Sequence, residues 1–218
     1  MIKRLLHYGK RILGMPSSYG GFENSSKFWE ARYKSGGNSG PGSYDQLAEF
    51  KAKIINDLLR QLQVHAVFEL GCGDGNQLSM LQLPHYTGVD VSPSIIEKCK
   101  KKFKDDPIKQ FVLLQDLPKK QFDMGLSLDV IYHLVEDDIY QEHLKLLFEQ
   151  SKRFVLIYSS NREEEAGGPA HVKHRKFTDD VAREHKKWAL VKHIPNEYPF
   201  QGDYNTGSSA DFYLYART

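Results

Sequence analysis

The chain has little cysteine, no long apolar run and almost no net charge, and each shortage removes a class of protein. Two cysteines, Cys72 and Cys99, in 218 residues make no disulfide framework, and without a CxxC pair there is no structural zinc motif. A reducing, cytoplasmic setting is expected. No stretch reaches the roughly 18 apolar residues of a membrane span. Thirty Lys+Arg against 28 Asp+Glu leave +2, so no global field favours nucleic acid or a membrane. What remains is ordinary: 40% hydrophobic residues, enough to build one core, in a length that suits a single domain with a small appendage.

The first fourteen residues carry Lys3, Arg4, Lys10 and Arg11 among Leu5, Leu6, Ile12 and Leu13. This is too short and too charged for a signal-peptide core, but it suits a basic leader able to touch anionic lipid weakly. Residues 15–43 are rich in Gly, Ser, Asn and Tyr, and the run from Ser35 to Ser43 holds neither helix nor strand. Phe28, Trp29 and Tyr33 have helical spacing within it. Ser43 with Gln46 fits a capping box, and Leu47, Phe50, Ile54, Ile55, Leu58, Leu59 and Leu62 then form one apolar stripe. The boundary falls there: residues 1–45 are a leader and Gly-rich lid, and 46–218 the main domain.

Strand and helix alternate from that point. Strands are predicted at Ala66–Leu70, Tyr86–Val91, Phe111–Leu114, Phe122–Leu128 and Phe154–Tyr158. Helices are predicted around Gln77 to Leu83, from Pro93 to Phe103, and from Asp138 to Ser151. Thr178 is expected to cap a further helix. Trp188–Ile194 and Phe212–Ala216, joined by a Gly/Asn/Ser loop, read as an antiparallel hairpin. The pattern implies an α/β fold with a doubly wound, mostly parallel, seven-stranded sheet.

Four motifs fall at carboxyl ends of the parallel strands, where open α/β sheets bind ligands. The first is Glu69-Leu70-Gly71-Cys72-Gly73-Asp74-Gly75. Asn76 stands where a dinucleotide fingerprint needs its third glycine, and no Lys-Ser/Thr follows for a P-loop. The second is Val89-Asp90, about 20 residues on, the offset at which an acid accepts from ribose hydroxyls. The third is Gln115-Asp116-Leu117. The fourth is Ser127-Leu128-Asp129-Val130-Ile131-Tyr132-His133-Leu134.

In this order the four motifs resemble those of the class I S-adenosylmethionine (SAM)-dependent methyltransferases. The resemblance covers residues 50–218, and the terminal hairpin is similar to that family's antiparallel addition. It implies SAM as cofactor, held by Glu69, Gly71, Cys72, Gly73, Asp90, Asp116, Leu117, Leu128 and Asp129. The fourth motif lacks the Asp/Asn-Pro-Pro-aromatic run of enzymes that methylate nucleobase amines. The Gly-rich run before Ala48-Glu49-Phe50-Lys51 is similar to a bacterial subset that modifies small metabolites or surface polysaccharides. That similarity implies a lid, with Tyr44 and Glu49 near cofactor or acceptor.

The expected activity is methyl transfer to a small-molecule or saccharide acceptor at oxygen; the alternative is a non-catalytic SAM-binding module on the same fold. His133 is a candidate general base, or else packs under the cofactor. His174 is a second catalytic candidate. His171 and Arg175 are candidate acceptor contacts, Arg175 suiting a carboxylate or phosphate. His171 and His174 have no further ligands for a metal, and no metal is expected. Lys98, Lys100, Lys101, Lys102 and Lys104 form the solvated face of a helix.

Overall fold

Short β-rich segments with apolar residues at every position are buried on both faces of a parallel sheet. The computed structural model describes residues 22–163 and 168–218. The leader at residues 1–14 and part of the Gly-Gly-Pro turn before His171 lie outside the described residues.

The strands are β1 (Val67–Leu70), β2 (Tyr86–Asp90), β3 (Lys109–Leu113), β4 (Phe122–Leu128), β5 (Ser151–Ser159), β6 (Trp188–Ile194) and β7 (Asp211–Arg217). They form one sheet in the order β3-β2-β1-β4-β5-β7-β6. The first five are parallel; β7 runs antiparallel to both β5 and β6. The order reverses between β1 and β4, the switch point at which such sheets open a crevice.

Helices α1 (Ser25–Lys34), α2 (Asp45–Gln61), α3 (Pro93–Lys102), α4 (Asp137–Gln150) and α5 (Phe177–Glu184) complete the domain. One core joins Phe50, Ile55, Leu58 and Leu59 of α2 and Ile96 of α3 to Val67, Met124 and Leu156 of the sheet. A second joins Leu144, Leu147 and Phe148 of α4 and Val181 of α5 to Phe68, Leu70 and Val155. Val67 and Phe68 serve opposite cores because successive strand side chains point to opposite faces.

Local cap signals gave way to tertiary partners in three places. Helix α2 begins at Asp45 with Tyr44 as its cap; Ser43 sits in a 3-10 turn, Pro41–Ser43, and its carbonyl accepts from Asn76 Nδ2 at 2.7 Å. Gln46 donates to the Thr206 carbonyl at 2.8 Å instead of closing a capping box. The Thr178 hydroxyl pairs with Asn161, and Lys176 stands at the α5 cap. The helix expected over Gln77–Leu83 is only a 3-10 turn, Gln77–Met80, because Pro84 and β2 follow too soon for another turn.

Candidate active site

A cavity of about 390 Å³ opens at the carboxyl edge of the sheet. Its floor is the turn after β1. Gly71 and Cys72 both donate their N–H groups to the Val89 carbonyl, at 2.8 and 3.0 Å. Gly71 has φ +82°, and a Cβ there would lie 2.5 Å from Val130 Cγ2; at Gly73, φ +55°, it would lie 2.4 Å from Ser39 Oγ. Only glycine fits such close, left-handed positions.

Two buried acids end the neighbouring strands. Asp90 accepts from the Gly73 N–H at 3.1 Å and the Ser92 N–H at 3.0 Å. Burial nevertheless pushes its carboxyl up to about 6. Glu69 accepts from the Tyr86 hydroxyl at 2.5 Å, and burial raises it to about 7 against the opposing pull of Tyr86 and Lys51. Gln77 borders the cavity and donates to the Ala48 carbonyl, while its Oε1 is buried with no partner among the described residues.

Helix α1 and the Gly-rich segment form the roof. Trp29, Tyr33 and Ser39 line it. The Ser25 hydroxyl and N–H donate to Glu136 at 2.6 and 2.8 Å, and Glu30 accepts from the hydroxyls of Ser92 and Ser94 at 2.5 and 2.6 Å. The roof is thus fastened to the starts of both α3 and α4. Asp74 accepts from the Ser39 N–H at 2.9 Å and the Tyr44 hydroxyl at 2.8 Å. Burial alone would raise Asp74, but these bonds and that from the Asn76 N–H leave it lowered. Tyr44 therefore anchors the roof through Asp74 and is not part of the cavity wall; Glu49 is exposed on α2.

The end of β4 supplies Leu128 and Asp129, both on the wall. Asp129 is left-handed, φ +59°, and its carboxylate bridges Lys51 Nζ at 2.5 Å and the Tyr132 hydroxyl at 2.7 Å. The Lys51 side chain is 1% exposed and lies 5.1 Å from the Tyr158 ring centre. The sequence contains Lys51 within an apolar stripe, where its charge marks it as unusual, but only the fold pairs it with Asp129.

Of the four residues expected to converge on an acceptor, one reaches the wall. His133 lines the cavity, edge-on to Trp29, with Nδ1 3.1 Å from the His171 carbonyl. A carbonyl only accepts, so Nδ1 carries the proton and Nε2 keeps its lone pair. Burial lowers the ring to about 4, so it is neutral at physiological pH. His171 stacks between Phe28, at 4.5 Å, and His133, at 5.7 Å, off the wall. His174 bonds Ser160 through Nδ1 at 2.7 Å and packs by Tyr132.

Arg175 departs furthest from expectation. Its guanidinium donates to the carbonyls of Leu134 and Val135, at 2.7 and 3.0 Å, pairs with Asp137 and lies over the Tyr140 ring. It joins the loop after β4 to α4 instead of facing an anion. Asp116 is exposed in the 3-10 turn Leu114–Asp116, and neither it nor Leu117 lines the cavity; Leu114 does. The turn after β3 swings Asp116 outward. Among the described residues no His/Cys/Asp/Glu group could hold a metal, and no helix is long and apolar enough to cross a membrane.

Residues 68–150 match the family model described as a methyltransferase domain. No curated protein matches the chain. Several solved structures share the fold. The N-methyltransferase NodS from Bradyrhizobium japonicum, in complex with S-adenosyl-L-homocysteine (SAH), has a TM-score of 0.70 and 16% identity over 89% of this chain and 99% of that one. Magnesium protoporphyrin IX methyltransferase from Synechocystis, with bound SAH, gives 0.61 and 13% over 90% and 97%. The methyltransferase domain of bacterial CtHen1 gives 0.59 and 21% over 78% and 97%.

Proposed function

We propose that this chain, a SAM-dependent methyltransferase of the class I fold, methylates a hydroxyl oxygen of an uncharged small-molecule or saccharide acceptor, with His133 receiving the proton. The fold and the domain match give the enzyme class and cofactor; the neutral His133 ring on the cavity wall carries the reading of the acceptor.

The residues present fit SAM by their donors and acceptors. Asp90 and Glu69 are acceptors on the cavity wall, suited to ribose hydroxyls and an ammonium group. Lys51 is a donor suited to a carboxylate. Gly71, Cys72 and Gly73 allow close approach of the backbone. When bound, SAM supplies a methyl carbon made electrophilic by its sulfonium.

The protein's own work is then alignment and proton handling. Nε2 of His133 accepts the hydroxyl proton and so points the oxygen lone pair into the cavity. A ring held to about 4 is a weak base. It suffices here, because a hydroxyl oxygen that is forming a new C–O bond becomes strongly acidic. Helix α1 and residues 35–44 act as the lid that excludes water. His174 and His171 position His133 and Tyr132 from behind. The wall carries Glu69, Asp74, Asp90, Asp129 and Glu142 against Lys51 alone, apart from neutral histidines; that balance and the engagement of Arg175 disfavour an anionic acceptor.

Titration of SAM in a calorimeter, followed by SAH detection with panels of neutral, anionic and amine acceptors, tests the reading. Turnover confined to amines or anions would overturn the hydroxyl assignment.

A further inference from the structure

With ribose at Asp90, the base of the cofactor still lacks a partner. Asp116, the acid after β3, is turned outward and lies off the cavity wall. The cavity is also lined by Val91 and Leu114, just past the ends of β2 and β3, and by Ile139, His143 and Leu146 of α4. Val91, Leu114 and Ile139 remain 41%, 41% and 43% exposed. Large apolar side chains left uncovered together around one cavity mark a ligand-binding surface.

The chain's connections explain the opening. Helix α3 joins β2 to β3 and α4 joins β4 to β5, but residues 114–121 between β3 and β4 hold only the 3-10 turn Leu114–Asp116. A parallel crossover usually carries a helix; none from this one lies beside α4. Ile139, Glu142, His143 and Leu146 follow one another at helical offsets of three, four and seven, so they form one stripe of α4, and all four line the cavity. Leu70 and Val89, register partners on β1 and β2, line it from the sheet and belong to the core on the α4 side. The result is a slot with apolar walls.

Two polar side chains sit on that stripe. Ser127 on β4 is fully buried, and its hydroxyl makes one hydrogen bond among the described residues, with His143 Nε2 at 2.9 Å. A buried hydroxyl with a single partner able to accept donates to it. Nε2 is therefore the acceptor, and Nδ1 carries the ring proton. Burial pushes the ring down to about 4, so it stays neutral with that one proton. Glu142 is only loosely engaged: its pair with Lys145, at 3.3 Å, is an exposed contact within one helix turn. The stripe thus offers one N–H donor and one carboxylate acceptor beside an apolar slot.

We infer that α4, in place of the acid after β3, reads the base of the cofactor: adenine lies in the slot, the Nδ1–H of His143 donates to a ring nitrogen, and the Glu142 carboxylate accepts from the exocyclic amine. Adenine carries a ring-nitrogen acceptor beside an amino donor, and its faces suit apolar walls. A 6-oxopurine would set an acceptor against the carboxylate, so Glu142 discriminates against it. The direction follows from the strand order. From Asp90 on β2, the methionyl end turns toward β1 and β4, where Glu69 and Lys51 stand, and leaves the β3 side to the base. The inference rests on SAM binding with ribose at Asp90 and is independent of the acceptor.

Calorimetric titration of the full chain tests it without turnover. The probes are SAH and S-inosyl-L-homocysteine, which has an oxo group in place of the amine. The wild type should bind SAH at least about tenfold more tightly, a comparison that needs no variant. Glu142→Gln supplies an amide able to donate to the oxo group, so the preference should collapse to about twofold or less. His143→Phe keeps the volume of the ring and removes the donor, and SAH affinity should fall by about tenfold. His143→Asn, whose amide N–H stands close to the position of Nδ1–H, should recover most of that loss. Asp116→Ala should bind SAH within about twofold of the wild type. Thermal midpoints of the variants separate loss of binding from loss of fold. Equal binding of both probes by the wild type, an undiminished preference in Glu142→Gln, full SAH affinity in a folded His143→Phe, or a loss of about tenfold in Asp116→Ala would each overturn the role of α4 and leave the cofactor in place. No SAH binding by the wild type would overturn the cofactor reading and this inference with it.

Discussion

The half of this site proposed to hold the cofactor and the half proposed to face the acceptor are built differently. Gly71, Cys72, Gly73, Asp90 and Glu69 lie on two adjacent strands and the turn after the first, positions fixed by strand register and by left-handed glycines. His133, His171, His174 and Arg175 come from two loops whose side chains find partners across the fold: a carbonyl for His133, a ring for His171, a hydroxyl for His174, two carbonyls for Arg175. Residue type foretold the geometry of the first half, where a left-handed backbone demands glycine and the strand ends bring acids to the cavity wall. It was a poor guide in the second, where an arginine suited to an anion is equally suited to carbonyl oxygens.

The largest effect is expected where the halves meet. Lys51→Ala leaves Asp129 without its cation and should cost about 3–5 kcal/mol, read as a large fall in denaturation midpoint; a midpoint unchanged within error would mean that the pair contributes nothing to the join. His133→Gln should lower kcat by about 10²-fold or more with SAM affinity within about twofold, measured by SAH release and calorimetry. A parallel loss of SAM binding would move His133 into the cofactor half.

Arg175→Ala sharpens the contrast from the other side. Removing charged donors from the Leu134 and Val135 carbonyls should cost about 2 kcal/mol of stability, with acceptor KM unchanged. A raised KM at unchanged stability would restore the anion-binding role. Asp90→Ala should weaken SAM by at least about tenfold in a folded protein, through lost charge-assisted bonds to ribose.

The smallest expected effect is a pH dependence of SAM affinity. Asp90 is raised to about 6 and Glu69 to about 7, so both carboxylates ionise only as pH climbs through that range. The ionised forms are the better acceptors, so affinity should rise from pH 5 to 8. Calorimetry on Asp90→Asn should lose the lower part of that rise; the full wild-type curve in this variant would assign it elsewhere.

Much of the fold was legible because apolar runs bounded by Gly and Pro mark buried strands, and all seven strands lie where the sequence places them, within a few residues. Legibility failed where a polar side chain had two possible partners. Ser43, Gln46 and Thr178 have good local cap chemistry, yet Asn76, Thr206 and Asn161 outcompete it in space. Asp116 stands at the expected offset, but a 3-10 turn carries it outward and brings Leu114 to the wall. The roof residues Trp29, Tyr33 and Ser39 had only helical spacing and a Gly-rich context to recommend them, neither of which says which surface they cover.

The sequence by itself determined the alternation of strands and helices, the close-packed glycine turn and the two strand-end acids, because steric limits on φ and the two-residue period of a strand act within a few residues of chain. Only the tertiary structure decided the tautomer of His133, the burial of Lys51 against Asp129 and the employment of Arg175 as a brace. Each depends on a partner from 38 to 78 residues away. A polar or aromatic side chain takes whichever partner the packed backbone brings within reach, and sequence neighbours do not record that choice.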